Sequence, residues 1–124
     1  MALPILIALA GLMGASGVML AAAGAHGTPR VDLGGAPYML LFHAVAILGG
    51  AALAHQALVS RPLIFLALIG WVVGASLFAG DIAARGFLGH RLFPMAAPTG
   101  GIIMIAGWFA VVVAAVAVLL HRAA

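Results

Sequence analysis

A chain of 124 residues that is 67% hydrophobic and 6% charged, with a mean hydropathy of +1.35, cannot clothe itself in water, since soluble domains carry about 25% charged residues. Its net charge of +3 arises from five arginines against two aspartates with no lysine; the arginines are spread over loops and ends, not gathered in a stripe, which excludes a nucleic-acid surface. The absence of cysteine excludes disulfides, thiolate metal sites and cysteine nucleophiles, leaving a single transmembrane domain over 1–124 with no separate soluble catalytic unit.

The first apolar run predicts a span over 3–25, with Pro4 at the helix start, where its missing N–H costs little. Ala10, Gly14, Gly17, Ala21 and Gly24 recur at three- and four-residue steps and make a smooth packing face. A secretory signal with Ala21, Ala22 and Ala23 as its cleavage region is the competing reading. No Lys or Arg precedes the run and it exceeds a typical h-region, so a retained span is expected. His26 reads as a cap or loop anchor. The loop that follows is punctuated by Gly27, Pro29, Gly34 and Gly35, and Arg30 and Asp32 mark it as wet, their mutual contact worth little.

A second span is predicted over 37–58. Pro37 suits a first helical position, and Ala46, Gly50 and Ala54 form a small-residue row. His43 precedes Gly50 by one heptad and shares its face, while His55 is expected to reach the interface. The short link Ser60, Arg61, Pro62 makes spans two and three antiparallel neighbours.

The third span, over 63–84, carries Gly70-x-x-x-Gly74 and then Asp81, the only acid in the apolar runs. Seven residues at ~100° each bring Asp81 to within ~20° of Gly74. Gly74 should face a neighbouring helix, so Asp81 should too. Trp71 and Phe78 fall off this face and are expected to meet lipid. The segment 86–98 mixes Phe87, Leu88, Leu92, Phe93 and Met95 with His90 and Arg91, as a stretch lying along the interface would. In the fourth span, over 99–120, Gly100, Gly107 and Ala114 repeat at heptad spacing, and His121 and Arg122 place positive charge at the negative end of the helix dipole.

The fold expected is all-α, an integral membrane up-down four-helix bundle with both termini on one side. Gly14, Gly17, Gly50, Gly70, Gly74 and Gly107 are its helix-packing residues. His26, His43, Asp81 and Arg85 gather towards the opposite side as a candidate polar cluster. Arg30, Arg85 and Arg91 lie on that side; Arg61, Arg122 and the amino terminus lie on the other. With Arg85 offset by Asp81, the positive-inside rule favours cytoplasmic termini, in a bacterial inner membrane.

Three blocks carry a family resemblance. Gly24-Ala25-His26 is like a G-A-H block, and Phe42-His43 followed by Ala44-Val45-Ala46-Ile47-Leu48-Gly49 is like F-H-x-x-A-I-L-G. Leu77-Phe78-Ala79-Gly80-Asp81, Ala97-Pro98-Thr99-Gly100-Gly101 and Ala106-Gly107-Trp108 follow L-F-S-G-S, T-P-x-G-G and A-G-W without a gap. In these the chain resembles the family called domain of unknown function 423, small four-helix membrane proteins like transmembrane protein 256. Three features depart from it: the first loop is short, Met39-Leu40 replaces the family's Tyr-Gln pair, and Asp81 replaces a serine. The resemblance implies four spans in a membrane and no activity.

Asp81 is the sharpest chemical signal. A carboxylate at the bilayer centre costs at least ~2.5–3.5 kcal/mol, and such groups are functional candidates by default. The blander reading is a partly wet ion pair with Arg85, four residues on. His43 is more often a hydrogen-bonded packing residue than a ligand. No H-E-x-x-H spacing occurs, so neither metal nor haem nor another cofactor is expected. Ser16, Ser60 and Ser76 lack a nucleophile setting, and no enzyme is expected. Two functions remain: a non-enzymatic helix-packing or assembly module, or an oligomeric proton, ion or small-solute channel or carrier using Asp81 and His43. The partners expected are the lipid bilayer and other membrane proteins or a second copy.

Overall fold

The computed structural model describes residues 1–27 and 30–123; the turn expected at Pro29 lies outside them. Four helices follow one another: α1 (Ala2–His26), α2 (Ala36–His55), α3 (Arg61–Leu88) and α4 (Ala96–Ala123). Each is long and apolar enough to cross a membrane. Proline opens α2 and α3, at Pro37 and Pro62, where a backbone N–H would have no intrahelical partner.

The ends differ from the expected spans for backbone reasons. α2 stops at His55, not 58, because Ala57 turns into the left-handed region (φ 54). The Leu58 N–H then returns to the Leu53 carbonyl at 3.2 Å and the Ala57 N–H to that of Ala54 at 3.4 Å, a Schellman closure with alanine where glycine is usual. α3 runs a turn past 84, up to Gly89 (φ 73). α4 begins already at Ala96, just after Met95 (φ 67). The interfacial stretch thus shrinks to 89–95, all of it exposed.

The up-down bundle is open. α1 packs on α2, α2 on α3 and α3 on α4, with a smaller contact of α1 on α3. Among the described residues no Cα of α4 lies within 8 Å of one in α1 or α2. Two lateral grooves result. One lies between α1 and α3 with Leu40 of α2 among its lining residues. The other lies between α2 and α4, with Phe78 of α3 in its lining.

The row is held by close approaches at small residues. A Cβ on Gly17 would stand 2.9 Å from the Pro37 carbonyl oxygen, and one on Gly50 would stand 2.5 Å from Leu68 Cδ2. A Cβ on Gly74 would stand 2.8 Å from the Gly100 oxygen, and one on Gly107 would meet the Trp71 indole nitrogen at 2.5 Å. Gly14 and Gly70 are different: their nearest neighbours would be at 3.8 and 3.7 Å, ordinary contact. These two sites would accept alanine.

The first loop is only partly wet. Arg30 and Asp32 are exposed, and Asp32 Oδ1 accepts the Gly34 N–H at 2.9 Å. Leu33, however, is buried and sits beside Gly24 and Gly86, clasping α1 to the end of α3. At the other end the Ser60 N–H donates to the Ala114 carbonyl at 3.0 Å. Residues 115–123 of α4 therefore project ~13 Å beyond the start of α3, and none of them is buried. Leu3 and Pro4 of α1 lie near His55 there, so both chain ends share that side.

Candidate functional site

The four residues grouped from the sequence fall into two separate places and a bystander. Asp81 is 2% exposed and faces protein. Its Oδ2 pairs with Arg85 Nη2 at 3.2 Å, the i,i+4 geometry that one helical turn provides. Its Oδ1 accepts the Leu92 N–H at 3.0 Å. The carboxylate is thus a clasp that draws the 89–95 connection back onto α3, while the Arg85 head remains half exposed.

The geometry separates two substitutions. Asp81→Asn keeps an acceptor for Leu92 and loses the ion pair with an exposed partner, so it should cost at most about 1 kcal/mol. Asp81→Leu also strands the Leu92 N–H and should cost about 1–3 kcal/mol more. Equal unfolding free energies for the two variants would show that the Leu92 bond contributes nothing.

His43 lies elsewhere. It is ~10 Å inside the start of α2, 5% exposed, and both ring nitrogens are engaged. Met39 O is 2.8 Å from Nδ1 and is a carbonyl, so Nδ1 must carry the hydrogen. Nε2 is then the acceptor, and the Trp108 Nε1–H donates to it at 3.3 Å. Trp71 completes the cluster. Its Nε1–H donates to the Met104 carbonyl at 3.2 Å, and its ring centroid lies 4.4 Å from that of Trp108 and 5.9 Å from that of His43. The polar edges of all three rings are satisfied inside the protein, as buried polar groups require.

Asp81 is ten residues beyond Trp71, ~15 Å along α3, and no hydrogen bond joins the two places. His26 is exposed at the end of α1 and enters neither. Among the described residues no three His, Asp or Glu side chains are placed to hold a metal ion.

Trp71 corrects the helix-wheel expectation: it is 2% exposed, not lipid-facing, and Phe78 is half buried. The reason is that α3 is an inner helix with two protein-facing sides. Gly74 marks the side towards α4, whereas Ile64 and Leu68 face α2 beside Gly50. A wheel drawn around one glycine row assigns everything else to lipid. The His43–Trp71–Trp108 cluster escaped the sequence reading for that reason. The signal that could have found it is the heptad Gly100–Gly107–Ala114 on α4, which needs a large flat partner opposite Gly107.

Four membrane-spanning helices with two small internal polar clusters define a small polytopic α-helical membrane protein. Residues 20–101 match the family model described as Protein of unknown function (DUF423), and the chain belongs to that family. No curated protein and no solved structure matches it.

Proposed function

We propose that this protein is a non-enzymatic membrane module that works by associating with other transmembrane helices, either a second copy or another membrane protein. The observation that carries the reading is the outer face of α1. Ala8, Gly11, Ala15, Val18, Ala22 and Ala25 are all exposed and follow one another at alternating three- and four-residue steps. A Cβ at Gly11 would meet nothing within 4 Å. A glycine inside a helix costs about 1 kcal/mol relative to alanine, and no contact among the described residues offsets it. In a bilayer, where apolar surface alone gives no drive to associate, such a seam is what lets another helix backbone approach.

The channel reading has less support. Asp81 is occupied by Arg85 and Leu92, and His43 by Met39 and Trp108. The stretch of α3 between the two places presents buried Ala75 and Ala79. The proposal includes a bacterial inner membrane and cytoplasmic termini, resting on helical spans and the spread of arginines.

The test is a benzophenone photoprobe at Val18, on the seam, activated in native membranes. A discrete protein adduct, lost when Gly11→Leu closes the seam, is the expected result. Lipid adducts alone would overturn the proposal.

A further inference from the structure

The groove between α2 and α4 has a volume of about 550 Å³ and is lined almost wholly by apolar groups. Phe42 and Trp108 stand at its lips, 63% and 50% exposed, and Phe78 and Met104 line it deeper. Gly101 also lines it, and a Cβ there would meet nothing within 4 Å, so its missing side chain leaves space rather than admitting a helix. The groove's polar pair is His43 Nε2 and Trp108 Nε1–H. They are 3.3 Å apart and bond only to each other across the groove's inner wall. α4 makes no close backbone approach to α2, and Trp108 is half exposed at the groove's lip.

These two groups select a ligand chemistry. Trp108 offers a donor and nothing else; His43 Nε2 offers an acceptor, because Nδ1 is committed to Met39. A hydroxyl both accepts and donates, so one hydroxyl set between them would replace one bond by two. A ketone or ether could accept from Trp108 but would leave His43 Nε2 stranded, which is costly in an apolar site. The aromatic walls and the thioether of Met104 favour a flat ring, and the opening to the bilayer suits an apolar tail. We propose that this groove is a binding site for a lipid-soluble phenol, a planar ring bearing a hydroxyl and an apolar chain, with the hydroxyl bridging Trp108 and His43. α1 takes no part in the groove, so this site is independent of the helix-associating seam.

The chain's two tryptophans both belong to the cluster, so tryptophan emission, excited selectively over Tyr38, reports on the site alone. The probe is a bromine-bearing para-octylphenol, whose bromine quenches indole on contact, with its methyl ether as control, added to the protein in lipid nanodiscs. Quenching by the phenol should saturate, with a midpoint at least about tenfold below that of the ether. His43→Phe should erase the difference between phenol and ether. Gly101→Leu, whose Cβ would meet no protein atom and whose side chain would enter the groove, should abolish saturation with the helices intact. Equal, unsaturating quenching by phenol and ether in the unmodified protein would overturn the proposal. So would a phenol preference that survives in both variants.

Discussion

Gly100→Ala should destabilise the bundle by about 3 kcal/mol, while Gly101→Ala, one residue on, should stabilise it by up to about 1 kcal/mol. At Gly100 an added Cβ would lie 2.5 Å from the Gly74 carbonyl oxygen and 2.7 Å from the Phe78 nitrogen. Both are backbone atoms of α3 and cannot rotate away, so α3 and α4 must part. At Gly101 the same atom meets nothing within 4 Å, and only the helix-forming advantage of alanine remains. Reversible unfolding in mixed micelles measures both. Equal effects at the two glycines would mean that the close approach of α3 and α4 is not what holds them.

Trp71→Ala should cost about 3–5 kcal/mol, and Trp108→Ala only about 1–2 kcal/mol, although both rings belong to one cluster. Trp71 is 2% exposed, fills the space opposite Gly107 and donates to the Met104 carbonyl. Its removal leaves a cavity between α2, α3 and α4 that a well-packed interior closes only in part. Trp108 is half exposed, and lipid can take its place. His43 Nε2 loses its donor in Trp108→Ala, and that lost bond in an apolar groove is the larger part of the cost. A reversed order of stabilities would mean that α3 presents Trp71 to lipid after all.

The spans were legible because apolar length is a local property, and so was the Asp81–Arg85 pair, which one turn of helix creates by itself. Gly74 and Gly107 were legible as packing sites for the same reason. What escaped depends on which helices are neighbours. The Leu92 N–H on Asp81 comes from a connection that no periodicity describes. Leu33 was hidden in a loop that its charged neighbours marked as wet, and its burial follows from the glycine opposite, Gly86 on α3. His43 was placed on the right kind of face, but its partner could not be named, since Trp108 reaches it across a gap that the backbones leave open. Gly14 and Gly70 show the converse: they sit in small-residue rows yet face ordinary contacts, because helices cross at an angle and touch hardest at a few points along a row. Asp81 stands where the resembling family has serine. A neutral serine hydroxyl could not form the ion pair that Asp81 makes with Arg85.

The central structural claim is that four spans form an open row, which is what leaves α1 and α4 with free faces and the α2–α4 groove open to lipid. It is tested most directly by spin-label distances in nanodiscs from Leu12 on α1 to Val73 on α3 and to Ile105 on α4, three exposed positions. In an open row the α1–α4 separation exceeds the α1–α3 separation, because α4 lies beyond α3 and does not return to α1. In a closed ring α1 and α4 are neighbours and α1 and α3 are diagonal, so the order reverses. A Leu12–Ile105 distance longer than Leu12–Val73 is the result predicted; a shorter one would contradict the open row and the free faces that follow from it.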